Sequence, residues 1–124
     1  MHFDPRTQRA LRAVGLDTEQ LRTASDHVVE AVAADADTLE AFFADVDTVY
    51  SDMDLAHSSG DVAEHTVEFL DLYTHGADLR GYLRFDSWGV SVEGGRPLSE
   101  STVELSLGAT VHDRVRFARD PEAL

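Results

Sequence analysis

The hydrophobic period changes once along this chain, and that change constrains the fold more than any other feature. Up to Met53 the apolar residues recur at steps of three, four or seven, the repeat of one helix face. From about residue 62 they alternate with polar ones, the repeat of a strand with one buried side. Two periods in successive blocks read as α+β: N-terminal helices followed by an antiparallel β-meander of four or five strands. The length of 124 residues suits one domain, 1–124, with a helical part over about 1–57 and a sheet part over about 62–118.

The helical block divides at Gly15. Asp4 can cap a helix over 5–14 and Pro5 can open it, with Phe3, Thr7, Ala10, Leu11 and Val14 on one face. Asp17 and Gln20 have capping-box spacing for a second start. Leu21, Ser25, Val28, Val32, Leu39, Phe43, Val46, Tyr50 and Met53 then keep one phase, which favours a single helix. Such a helix would run about 55 Å. A compact domain of this size has a radius of gyration near 14 Å, roughly a quarter of that. A break in "AADADTLE" resolves the conflict, because Asp37 and Glu40 repeat the capping-box spacing and Asp35 would sit in a turn. Two helices over this stretch is the preferred reading. The strands follow as "HTVEFLDLY", "LRGYLRF", "WGVSV" and "TVELSLGATV" continued by "VRF", separated by "THGAD", "DS" and "EGGRP".

Charge narrows the function classes. Twenty-four acids face ten arginines and no lysine, a net charge of −14, and aspartate outnumbers glutamate fifteen to nine. Residues 17–59 alone carry eleven acids against one arginine. That repulsion opposes a compact state at low salt, and is screened in molar salt, where the Debye length is about 3 Å. The composition resembles that of haloarchaeal proteins, and the chain resembles their small proteins of unknown function. The resemblance implies a salt-rich cytoplasm and assigns no residue roles. There is no run of about 18 apolar residues to cross a membrane. The N-terminus lacks the apolar core of a signal peptide, so a cytoplasmic location is expected. Arg6, Arg9 and Arg12, and Arg114, Arg116 and Arg119, form two basic clusters. Phosphates would repel the chain as a whole, so these arginines are expected to pair with nearby carboxylates, not nucleic acid.

Little in the sequence carries chemistry. The absence of cysteine removes disulfides, thiolate zinc sites and cysteine nucleophiles. In "AHSSGDVAEH", His57, Ser58 and Asp61 supply the residue types of a serine hydrolase. Neighbours in a turn rarely point at one another, so the stretch reads as the junction of helix and sheet. His65 and His112 could meet across strands, but nothing fixes a third ligand. No catalytic residue, metal or cofactor is expected. Two function classes remain. The first is a non-enzymatic protein acting through association, a homodimer paired by its apolar helical stripe or its sheet. The second is a small-ligand-binding domain or enzyme with a pocket between sheet and helices, lined by Tyr82, Arg84, Trp88 and His65, with Tyr73 nearby.

Overall fold

The computed structural model describes residues 2–53, 62–108 and 111–124. Helix α1, Pro5–Ala13, starts as its sequence demands: the Thr7 N–H donates to the Asp4 carboxylate at 2.7 Å, and proline occupies the first turn. It closes in a Schellman motif. Gly15 N–H donates to the Arg12 carbonyl and Leu16 N–H to the Leu11 carbonyl. Gly15 takes a left-handed φ of 104°, which a side chain would resist. No residue of α1 is fully buried.

Helix α2, Thr18–Ala44, opens with the full capping box of Asp17 and Gln20. It runs unbroken through "AADADTLE", so the expected division into two helices does not occur. Asp37 lies in solvent and Asp35 is only half-buried, so neither charge needs a turn. The local alanines also favour helix. The size conflict disappears because α2 stops at Ala44, about 40 Å from its start.

The sheet agrees with the α+β class but has six strands instead of four or five. They are β1 Thr48–Ser51, β2 Ala63–His75, β3 Asp78–Phe85, β4 Gly89–Pro97, β5 Thr102–Leu107 and β6 Asp113–Ala118. Each pairs antiparallel with the next, and β1 returns to β6 to close a ring. The extra strand occupies residues whose spacing also fits a helix as far as Met53. Val49, Ser51 and Met53 are buried at period two, and this alternation wins over the Val46–Tyr50–Met53 steps. Just past the end of β1, Asp52 locks the seam: its carboxylate accepts the Arg116 N–H at 2.8 Å and the Arg116 Nε–H at 3.0 Å.

The ring is filled. Leu83, Phe85, Val92, Leu105 and Phe117 point inward, and α2 adds Ala36, Leu39, Phe42 and Phe43 to the same core. Phe43 meets Phe117 edge-on, with centroids 5.5 Å apart. Gly95 on β4 makes room for the helix: a Cβ there would stand 3.1 Å from Leu39 Cδ1 and 2.6 Å from Leu105 Cδ2.

Candidate functional site

The four residues expected to line one pocket divide between two faces of the sheet. His65 on β2 is buried and points into the ring. Trp88, in the turn between β3 and β4, is half-buried and reaches it at 6.3 Å between ring centroids. Tyr82 and Arg84 lie on the outer face of β3, alternating with inward Leu83 and Phe85. The Arg84 guanidinium stands 3.6 Å from Glu68, and Tyr82 lays its ring over bare Gly89. Tyr73 is on the outer side as well, 66% exposed.

On the inner side, Ser51 Oγ is 2.7 Å from His65 Nε2, and the Met53 N–H donates to the same hydroxyl at 3.3 Å. The imidazole stacks on Phe85 with centroids 4.6 Å apart and tilts against Phe117 at 6.0 Å. Burial among these rings holds the His65 pKa below its ordinary value, because the charged form loses hydration. A serine and a histidine in contact supply two parts of a nucleophilic set. Ser51, however, is wholly buried, and no described carboxylate bonds the imidazole. The pair satisfies two polar groups inside an apolar core. It was missed because the helical phase passed over Ser51; the alternation Val49–Ser51–Met53 carries the signal.

The outer side differs in kind. Five large apolar side chains are exposed among the described residues, and three of them, Phe69, Tyr73 and Tyr82, share the outer face of β2 and β3. The register forms three rows: Phe69 beside Arg84, Asp71 beside Tyr82, and Tyr73 beside Arg80. A β-bulge between Val67 and Phe69 shifts the alternation and puts Phe69 on this face. "HTVEFLDLY" has no clean alternation for that reason, and Phe69 escaped the sequence reading.

Two surface grooves complete the picture. One, of about 390 Å³, lies between α2 and β2, where Phe43, Val46, Val67, Phe69 and Leu70 meet Glu40, Asp47 and Glu68. The other, of about 430 Å³, joins the N-terminal segment to the β2–β3 turn and contains His2, Asp4, His75 and Asp78. His2 donates its N–H to buried Ser25 and packs its ring against Gly76, which has φ 59°. Among the described residues no three of His, Cys, Asp and Glu gather as metal ligands. His65 and His112 do not share a site: His112 lines an open groove with Glu93 and Asp113. His57, Ser58 and Asp61 lie outside the described residues. Of the basic C-terminal cluster, Arg116 is bound to Asp52, and Arg119 lies 3.7 Å from Asp45 and over the Phe42 ring. No described helix is long and apolar enough to cross a membrane.

Residues 1–122, nearly the whole of this architecture, match DUF7532, a family of unknown function. The chain belongs to that family. Comparison with curated proteins and with solved structures gives no match. The family assignment therefore brings no activity with it, and a function for this member has to be argued from its surfaces.

Proposed function

We propose that the protein is a non-enzymatic cytoplasmic binding module of a salt-adapted cell, acting through protein association as a homodimer. The observation that carries this reading is the contrast between the two sides of the sheet. The inside is occupied by the protein's own side chains. The outside gathers three exposed aromatic side chains on two neighbouring strands. Exposed aromatic clusters rimmed by polar groups are typical of interaction sites. The polar pair inside, Ser51 and His65, is spent on its own neighbours and offers no reactive group to a substrate.

The test is the mass and shape of the particle in solution, by small-angle scattering in roughly 3 M KCl, where charges are screened. A particle of twice the chain mass supports the reading, and a monomer at every accessible concentration ends it. A second reading, a small-ligand binder, draws on the groove between α2 and β2, whose apolar lining and three carboxylates suit an apolar cation. A thermal-shift screen with alkyl and aryl amines tests it, and no shift with any of them removes it.

A further inference from the structure

We infer that the homodimer forms by face-to-face packing of the outer sides of β2 and β3, with the two-fold axis parallel to the strands and between them. This rests on the association reading above and names its surface, its partner and its symmetry. Three observations lead to it.

The ring pairs β1 with β6 at Tyr50↔Ala118 and Ser51↔Phe117, which leaves only a short stretch of β6 for a second copy to extend. A face offers more area than that edge. The chain carries −14, so most of its surface presents hydrated carboxylates that a second copy would have to desolvate. On the β2–β3 face Arg80 and Arg84 offset two of the three carboxylates of Glu68, Asp71 and Asp78, between three exposed aromatics. A patch less acidic than the rest of the molecule is where two copies can approach.

The rows then select the symmetry. With the axis along the strands, β2 of one copy faces β3 of the other and each row faces itself. Phe69 meets Arg84 of the other copy, Tyr73 meets Arg80, and Asp71 meets Tyr82. The two outer rows are favourable matches, cations over aromatic rings, and the middle row brings no like charges together. With the axis across the strands, Asp71 would face Asp71 and Arg80 would face Arg84, both repulsive. Two sheets packed with strands nearly aligned is also a common way for sheets to meet. Tyr82, already laid on Gly89, loses little freedom on docking.

Sedimentation equilibrium of the whole chain in roughly 3 M KCl is the experiment, with far-UV circular dichroism to confirm folding. The wild type is expected as a dimer, and Tyr73→Ser with Tyr82→Ser as a folded monomer. Val14→Ser, at an apolar position on α1 that is 75% exposed, should remain a dimer. Should the double variant not fold, Arg80→Glu takes its place and should also give a monomer. A wild-type monomer overturns both the association reading and this face. A wild-type dimer that survives the β2–β3 substitutions overturns the face alone. The chain has no cysteine, so single spin labels at Thr66→Cys and His75→Cys report the axis. An axis along the strands gives short inter-copy distances at both positions. An axis across them separates each pair by more than about 25 Å, from the rise per residue, and that result overturns the symmetry.

Discussion

Ser51 and His65 are the clearest case of one pair deciding how its neighbourhood responds to conditions. His65 is buried against Phe85, and the cost of charging it there holds its pKa low. In the unfolded chain the same group titrates near its ordinary value of about 6.5. Below that pH the unfolded state takes up a proton that the folded state refuses. Stability is therefore full above the unfolded pKa and falls as pH drops toward the folded one. A melting temperature followed from pH 8 to 5 should decline below about 6.5, and less steeply in His65→Gln, which keeps a polar group but does not titrate. Identical profiles for the two would show that His65 does not govern the decline. Ser51→Ala leaves the imidazole nitrogen and the Met53 N–H short of a partner and should cost about 1–3 kcal/mol in denaturant titration. Gly76 is constrained twice, by its φ of 59° and by the His2 ring against it. Gly76→Ala should therefore destabilise by at least about 1 kcal/mol, and His2→Ala in the same chain should recover only the part due to crowding.

At the scale of elements, the legible parts were those whose signals are local. Asp4 with Pro5, Asp17 with Gln20, and Gly15 each fix a helix end through a backbone bond that the sequence displays. The buried face of α2 follows the same logic, with Leu21, Ser25, Leu39 and Phe43 all inward. Where two periods fit the same residues, the sequence underdetermines the answer. Tyr50 and Met53 match a helical step, but Thr48–Ser51 pairs with β2 and β6, and those partners are remote in sequence. Ring closure is equally non-local, since it depends on Tyr50 reaching Ala118. The proposed pocket residues were divided by strand alternation, which sends neighbours such as Arg84 and Phe85 to opposite faces. Continuity of α2 makes its own prediction. Leu39 is fully buried between Gly95 and the ring interior, so Leu39→Ala should cost about 2–5 kcal/mol. Thr38→Ala, one residue away and in solvent, should change the denaturation midpoint little.

For the whole molecule, the balance of charge predicts how the fold responds to salt. Four arginines are paired with carboxylates among the described residues, against twenty-four acids in the chain. Along α2, Asp26 and Glu30 are four residues apart and Asp37 and Glu40 three, spacings at which like charges repel. The last turn of α2 has no basic residue and Asp45 caps its end, so the negative pole of the helix faces another negative charge. Arg119 offsets this from 3.7 Å, which is too long and too exposed to remove it. Each of these terms weakens as salt shortens the range of electrostatic forces. The melting temperature should therefore rise with KCl, steeply at first and then levelling, because the Debye length drops from about 10 Å at 0.1 M to about 3 Å at 1 M and changes little beyond. A general strengthening of apolar burial by salt would instead keep rising with concentration. The shape of the curve separates the two causes. Asp26→Asn with Asp37→Asn should raise the low-salt melting temperature and leave the high-salt value nearly unchanged. An unchanged low-salt value would mean that repulsion along α2 does not limit the fold, and a flat response to KCl would remove the salt-adapted reading altogether.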